Sequence, residues 1–389
     1  MNHQPHQETT YASPLGTFEL ARYPREQDPN LRAWSAADDF LLDYFHSELA
    51  STMPPGTLLI ANDSFGALTV CLHSYRPVLW SDSYVTTKAL QRNLQRNQID
   101  AHTGDIQCLP ATEVPPQGCQ VVLMQLPKSH GFLRFQLARI AASLAPDGIV
   151  IAAVMTKHFH NNSLAHFEEL IGETHTTLAR KKARLIIARH TRVARQESTQ
   201  PLESWANHYP LSPFASAELI TLPNVFSAAK LDIGTRALLP HIPQQLAQAR
   251  ILDLGCGNGA LGICAGLHNP DATITFCDES WLAICSAELS AAQAGIKARC
   301  HFLVTDTLEN APGDQDLILC NPPFHQQNSM HREIALRMFR QARRHLTPNG
   351  QLLIVANGHL DYPRALRKLF SRVSIVDRNR KFIVIAAQP

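Results

Sequence analysis

A four-residue loop, Asn321-Pro-Pro-Phe324, contains the residue types needed to hold and orient an amine on a planar ring. Two consecutive prolines fix an extended backbone and remove two N–H donors. The Asn321 side-chain oxygen and the Pro322 carbonyl are then the acceptors for an N–H₂ group. Such acceptors align the amine with an incoming methyl group and stabilise the positive charge that grows on nitrogen. Phe324 can stack on the base, so we predict Asn321, Pro322, Pro323 and Phe324 as the catalytic residues.

A glycine-rich turn precedes this loop in the sequence and predicts the cofactor. Gly255, Gly257 and Gly259 follow an apolar run and open a helix, with Asp253 two residues before the first glycine. Dinucleotide-binding turns have glycines at the same place, but with the spacing G-x-G-x-x-G and a pyrophosphate to bind. S-adenosylmethionine (SAM) instead carries a sulfonium and an ammonium, which suit a nearby carboxylate. We predict that Asp253 and the three glycines bind SAM.

Two further aspartates follow the next strands. Asp278 ends the second predicted strand of this half, where a carboxylate can accept hydrogen bonds from both ribose hydroxyls. Asp306 follows a third short strand and is predicted to bind the adenine amine. The alternative for each is a helix cap or a turn former, which are common roles of aspartate. Likewise, the Asn-Pro-Pro-Phe loop alone could be a turn stiffened by proline. Its position after a predicted cofactor loop favours a catalytic role instead.

The elements that must position these residues occur twice. Each half of the 389-residue chain alternates short apolar runs with amphipathic helical patterns, which is typical of a parallel α/β sheet. Residues 196–222 contain three prolines and are predicted to be a linker between a first domain, 1–195, and a second, 223–389. Four segments match in the same order. The matched pairs are 78–99 with 274–296, 121–128 with 317–324, 144–154 with 346–356, and 183–188 with 381–386.

The first copy lacks both chemical loops. Its counterpart of the glycine turn, residues 61–67, has one glycine, and residues 125–128 read QLPK where the second copy reads NPPF. The predicted fold class is therefore α/β with two tandem Rossmann-like SAM-methyltransferase-type domains that arose by duplication. We predict a degenerate N-terminal domain that recognises RNA and a catalytic C-terminal domain.

Charge and composition limit the partners. The formal net charge is only +2, so the molecule has no overall basic field. Residues 180–195 are nevertheless rich in basic side chains and contain no acidic one. We predict that Lys181, Lys182 and Arg184 contact RNA phosphates. The alternative is a solvated charged face.

Other classes of protein are disfavoured. The sequence has no apolar run near the roughly 20 residues that span a membrane, and its first ten residues do not form a signal peptide. Nine cysteines occur without a Cys-x-x-Cys pair, which argues against disulfides and a zinc site. We expect a cytoplasmic protein with no metal.

Three segments resemble one family. The segments NPPFHQQ (321–327), NVFSAAKLDIGTR (224–236) and NDSFGAL (62–68) are similar to the ribosomal RNA guanine-N(2) methyltransferases, above all to their large-subunit, 23S members. The resemblance extends over nearly the whole chain except the first ten or so residues and the linker. It implies methylation of the N2 amine of a specific guanine in 23S rRNA. It also implies a seven-stranded sheet with one antiparallel strand, and a segment around Phe226 that contacts RNA and closes over the substrate pocket.

Three alternatives remain from the sequence. The first is a 16S rRNA guanine-N(2) methyltransferase, because those enzymes share NPPFH. The second is a protein glutamine methyltransferase, whose loop is also Asn-Pro-Pro plus an aromatic residue, although typically tyrosine, behind a small helical N-terminal domain. The third is an RNA-binding or assembly factor with an inactive SAM fold, which the intact residues at 253–259 and 321–324 disfavour.

Overall fold

The chain forms two compact units, Met1–Ser204 and Trp205–Pro389, in a computed structural model. The structure describes residues 9–25, 28, 30–53, 58–100, 106–191, 199–323 and 329–389. None of the described helices is both long enough and apolar enough to cross a membrane.

Among the residues that the structure describes, the first unit is built around a mixed β-sheet. Its elements are β1 (Thr10–Ser13), β2 (Gly16–Glu19), α1 (Ala36–Tyr44), β3 (Leu58–Ala61), α2 (Ala67–Cys71), β4 (Val78–Ser81), α3 (Tyr84–Arg96), β5 (Gln107–Pro110), β6 (Cys119–Gln125), α4 (His130–Ser143), β7 (Leu144–Met155), α5 (Asn161–Leu170), β8 (Gly172–Thr176) and β9 (Ala183–His190). The seven-stranded order is β5-β4-β3-β6-β7-β9-β8, and β9 is antiparallel to both of its neighbours.

The second unit repeats this plan. Its elements are β10 (Asn207–Pro210), β11 (Glu218–Thr221), α6 (Ile233–Leu238), β12 (Arg250–Leu254), α7 (Ala260–His268), β13 (Thr273–Asp278), α8 (Trp281–Gln293), β14 (Cys300–Val304), β15 (Gln315–Cys320), α9 (Ser329–His345), β16 (Leu346–Asn357), α10 (Tyr362–Leu366), β17 (Arg372–Arg378) and β18 (Phe382–Gln388). The order β14-β13-β12-β15-β16-β18-β17, with β18 antiparallel, matches that of the first unit. The predicted tandem fold is confirmed.

The predicted linker, 196–222, is wrong over much of its length. Strands β10 and β11 lie inside it, form an antiparallel hairpin and belong to the second unit. The hairpin packs on α8, because Ser290 Oγ accepts a hydrogen bond from Ile220 N at 2.8 Å and Ser286 Oγ accepts one from Leu222 N at 3.0 Å. Buried Leu219 adds apolar contact. Pro210 is the last residue of β10, and Pro213 lies in the connection between the two strands.

One glycine has the same role in both units. Gly66 and Gly259 are the residues just before α2 and α7, with φ of 78° and 84°. A Cβ on Gly66 would lie 2.9 Å from the Cα of Leu90, and one on Gly259 would lie 3.2 Å from the Cβ of Ala287. Each glycine therefore lets the following helix pair approach closely, and the degenerate unit retains it for packing.

Alanine substitutions can separate the energetic cost of the left-handed backbone at Gly66 from the cost of overlap with Leu90. Gly118 also has a left-handed φ, of 82°, but a Cβ there would meet nothing within 4 Å. We expect Gly118→Ala to lower the free energy of unfolding by about 1–2 kcal/mol, the cost of that conformation for alanine. Gly66→Ala should lose about 1–3 kcal/mol more because its Cβ would overlap Leu90. Denaturant titration of both variants measures the difference, and equal losses would contradict the packing role.

Candidate active site

The glycine turn is held against the end of strand β13. Gly255 N and Cys256 N both donate to the carbonyl of Cys277, at 2.8 and 3.0 Å. Gly257 N donates to Asp278 Oδ2 at 2.9 Å. Gly257 has a φ of 54°, and a Cβ there would meet nothing within 4 Å. This glycine therefore serves the backbone conformation and leaves an open approach to the turn, which fits a ligand lying against the backbone.

Asp253 lies buried beneath the turn. It is in register between Phe276 and Leu319 on the neighbouring strands, and its Oδ2 accepts a hydrogen bond from Gly262 N at 2.8 Å. Burial, followed by the nearby charge of Asp278, raises the pKa of Asp253 to about 8. A cation beside this carboxyl would favour its ionised form. Its predicted contact with SAM stays a prediction that this environment suits.

Asp278 connects three elements at the same edge of the sheet. Its Oδ1 accepts from Ser280 N at 3.0 Å, and Ser280 caps α8, while its Oδ2 accepts from Gly257 N. Burial raises the pKa of this carboxyl as well. A carboxylate oxygen can accept more than one hydrogen bond, so the predicted contact with the ribose hydroxyls is compatible with these bonds and stays a prediction.

Asp306 forms an ion pair that the sequence did not predict. It is buried, and the Arg337 guanidinium binds both of its oxygens, with Nη1 at 2.9 Å from Oδ2 and Nη2 on Oδ1. This bidentate pair joins the end of β14 to helix α9. The predicted contact with adenine would have to be made beside Arg337, and it stays a prediction.

The loop that begins at Asn321 is held by hydrogen bonds to residues at the start of α6. The Asn321 Nδ2 donates to Asp232 Oδ2 at 3.0 Å and to Thr235 Oγ1 at 2.9 Å. The Asn321 Oδ1 is buried and accepts no hydrogen bond from any residue that the structure describes. Buried polar atoms normally have a partner, so this oxygen is a candidate acceptor for a substrate. Pro322 is buried, Pro323 is partly buried, and Phe324 lies outside the described residues.

Asp232 and Thr235 are site residues that sequence reasoning missed. Asp232 is the N-cap of α6, and its Oδ2 accepts from Thr235 N at 2.9 Å. An aspartate before a short helix signals a cap in the sequence. The sequence gives no signal that this cap also binds Asn321, 89 residues away.

The first unit contains a similar pair of a carboxylate and an amide, but there the amide oxygen accepts a hydrogen bond from the protein. Gln125, the last residue of β6, donates from Nε2 to Asp38 Oδ1, and Asp38 lies in the first turn of α1. Ser64 Oγ then donates to Gln125 Oε1 at 3.3 Å. The duplicated fold thus retains a carboxylate–amide contact, while the amide oxygen of the degenerate unit is bound by the protein itself.

Phe226 lies on a segment connected to the glycine turn. Its side chain is 55% exposed, although Phe is usually buried. The carbonyl of the next residue, Ser227, accepts from the Tyr209 hydroxyl at 2.9 Å, and Asn258 Nδ2 donates to that hydroxyl at 2.6 Å. The segment that carries the exposed ring is therefore joined to the turn by hydrogen bonds through Tyr209. The predicted RNA contact of Phe226 stays a prediction.

The predicted RNA-binding residues of the first unit lie around one tight turn. Lys181 and Lys182, with φ of 47° and 65°, connect Arg180 to Ala183, which exchange two backbone hydrogen bonds of 2.8 Å. Lys181 Nζ lies 3.7 Å from Asp39 Oδ2. The Arg184 guanidinium lies 5.1 Å from the centre of the Phe159 ring. One of the three charges thus already faces an acid, and their contact with RNA stays a prediction.

No metal-binding site is visible among the residues that the structure describes. No group of three or more His, Cys, Asp or Glu side chains is arranged to hold an ion there. The nine cysteines are free thiols.

The chain is similar to known proteins along its whole length. The family described as "RLMG N-terminal domain" matches residues 8–192, and "Methyltransferase small domain" matches residues 216–386. "Ribosomal RNA large subunit methyltransferase G" of Streptomyces griseus is 39% identical over 97% of this chain and 98% of its own. The protein of that name in Pseudomonas aeruginosa is 40% identical over 97% and 99%.

A solved structure has the same fold. It is a T. thermophilus 16S rRNA N2 methyltransferase in complex with AdoMet and guanosine. It aligns over 100% of both chains with a TM-score of 0.75 and 18% identity. At that identity the likeness concerns the fold of both units.

The raised pKa of Asp253 gives a pH-dependent stability in the SAM-free protein. The folded chain holds the proton up to a pKa of about 8, whereas the unfolded chain loses it near the usual value of about 3.9. The stability of the wild type should therefore fall from about pH 4 to about pH 8 through this group. Asp253→Asn removes this decline because asparagine does not titrate.

Urea titrations at about pH 5, 7 and 9 measure the effect. The free energy of unfolding of Asp253→Asn relative to wild type should rise up to about pH 8 and then level off. Asp314→Asn is the matched control, because the Asp314 side chain is 79% exposed. A constant difference between Asp253→Asn and wild type over this range would contradict the buried, protonated carboxyl.

Proposed function

The chain belongs to the ribosomal RNA large subunit methyltransferase G family, and we propose that it methylates the exocyclic N2 amine of one guanine in 23S rRNA. It is a SAM-dependent methyltransferase. The observation that carries the proposed position is the Asn321 Oδ1, a buried acceptor with no partner among the described residues. An acceptor in this place suits a substrate that presents N–H donors.

In the proposed chemistry, the loop that begins at Asn321 orients the amine. The amine lone pair of guanine is delocalised into the ring, so it is a weak nucleophile until the nitrogen becomes pyramidal. Hydrogen bonds to Asn321 Oδ1 and to the Pro322 carbonyl favour that geometry and stabilise the charge that develops on nitrogen. When bound, SAM supplies the methyl group. The two prolines keep the acceptors in place because they restrict the backbone.

The cofactor would lie on the open side of the glycine turn. Gly257 lets a ligand approach the backbone there, and the buried Asp253 carboxyl suits a neighbouring ammonium group. Asp278, at the end of β13, would accept the ribose hydroxyls, and Asp306 would contact adenine beside Arg337. In this proposal the second unit contains the whole reaction site.

The reaction is tested directly by incubating the protein with labelled SAM and unmodified 23S and 16S rRNA. We expect N2-methylguanosine from 23S rRNA after nucleoside analysis. Asn321→Ala should bind SAM as the wild type does. Its single-turnover methylation should be about 100-fold slower or more, as when an enzyme loses one hydrogen bond made in the transition state.

Other products would reject the proposal in different ways. Label in 16S rRNA would indicate the small-subunit activity, and label on a glutamine side chain would indicate a protein substrate. Wild-type turnover by Asn321→Ala, in a preparation that produces N2-methylguanosine, would reject only the role of the loop.

We also propose that the first unit, including residues 1–195, binds the rRNA. A pocket that encloses one base contacts too little RNA to choose among guanines, so a second contact to phosphates is needed. Its basic turn around Lys182 could provide that contact, and it has kept its fold although both chemical loops differ from those of the second unit. Lys181 should contribute less than Lys182 because it already faces Asp39.

Salt dependence of RNA binding tests this contact. Each phosphate contact adds about −0.7 to the slope of log affinity against log salt for single strands. Lys182→Ala should reduce the slope by about that amount, and Lys181→Ala by less, without a change in SAM affinity. Lys297→Ala, which removes a surface lysine paired with Glu288, is the matched control. Unchanged slopes for both turn variants would exclude this surface.

A further inference from the structure

Asp232 determines which end of the Asn321 amide can face a substrate. A carboxylate only accepts hydrogen bonds, so the amide must turn its Nδ2 toward Asp232, where the distance is 3.0 Å. Thr235 Oγ1, at 2.9 Å from the same Nδ2, is a hydroxyl that can donate or accept and does not fix the direction. The direction of the amide, and hence the location of Oδ1, follows from the charge of Asp232.

The first unit supports the reading that this contact orients an amide. There Asp38 receives Gln125 Nε2, and the oxygen of that amide accordingly lies on the other side, where Ser64 Oγ donates to it. The two units thus share the orienting carboxylate and differ in what occupies the acceptor. The Asn321 Oδ1 has no such donor among the described residues.

We propose that Asp232 is the positioning residue that makes the site specific for an amine, a conclusion that rests on the proposed function. If the amide were reversed, its N–H₂ group would face the N–H₂ group of guanine, and two donors repel. With Asp232 in place, the site offers an acceptor and favours bases with an exocyclic amine. Its specificity therefore depends on a side chain that acts through Asn321.

Asp232→Asn tests this role with little change in shape. Asparagine is as good an N-cap as aspartate, so α6 should be retained. It can, however, either donate to or accept from Asn321, so the amide is no longer fixed. We expect unchanged SAM affinity in calorimetry. Single-turnover methylation of 23S rRNA should fall about 10- to 100-fold, the range for one lost charge-assisted hydrogen bond.

An RNA fragment whose target base lacks the exocyclic amine can distinguish a positioning role of Asp232 from a purely structural one. The probe is a 23S fragment that contains the nucleotide modified by the wild type, with either guanine or inosine at that position. Wild type should bind the guanine fragment about fivefold or more tightly than the inosine fragment. Asp232→Asn should lose this preference while its affinity for the inosine fragment stays the same. Equal losses for both fragments, or a retained preference, would overturn the proposal.

A reciprocal variant tests the direction of the hydrogen bond. In D232N/N321D, the amide introduced by D232N can donate to the carboxylate introduced by N321D, whose other oxygen again faces the substrate. We expect this double variant to methylate at least about tenfold faster than the two single effects combined would give, a coupling typical of contacting residues. N321D alone should be slow because it places two carboxylates together. A double variant as slow as the two single effects combined would overturn the proposal.

The same experiments distinguish this inference from the proposed function. If the wild type does not form N2-methylguanosine on 23S rRNA, the proposed function fails. If it does, and D232N keeps wild-type turnover and the preference for guanine, only the role of Asp232 fails.

Discussion

The second unit depends on the hydrogen bonds that join the glycine turn to the end of β13. Two backbone N–H groups bind the Cys277 carbonyl, and Gly257 N binds the carboxylate of Asp278. Because β12, β13 and β15 are parallel neighbours, their carboxyl ends meet at one edge. The strand order therefore places the turn, Asp278 and the loop that begins at Asn321 at the same edge of the sheet.

Sequence patterns predicted what depends on neighbouring residues. The glycine turn, the Asn-Pro-Pro loop and the repeated strands are local or periodic, so the sheets and the candidate loops could be located in advance. The contacts Asp232–Asn321 and Arg337–Asp306 could not, because they join residues 89 and 31 positions apart. Their pairing follows from how helices α6 and α9 pack on the sheet. The hairpin of β10 and β11 is hard to predict because each strand has only four residues and β10 ends in Pro210.

The first unit explains which parts of a binding site also serve the fold. Gly66 and the contact between Asp38 and Gln125 persist there, and each has a packing or hydrogen-bonding role of its own. The glycines that correspond to Gly255 and Gly257 are absent, and a Cβ on Gly257 would meet no protein atom within 4 Å. The first unit thus has no counterpart of a glycine whose Cβ would meet no protein atom, whereas it keeps the residues that pack against or hydrogen bond to neighbours.

The retained Gly66 also shows how little the length of the turn changed when the two units diverged. Ala61 pairs with Met124, one residue before Gln125, and Gly66 follows Ala61 by five positions (66 − 61). Leu254 pairs with Cys320, one residue before Asn321, and Gly259 follows Leu254 by five positions (259 − 254). Counted from the central neighbouring strand, the turn therefore has the same length in both units. The first unit preserves the chain path of a ligand-binding turn as a structural record of the common ancestor, although its side chains have changed.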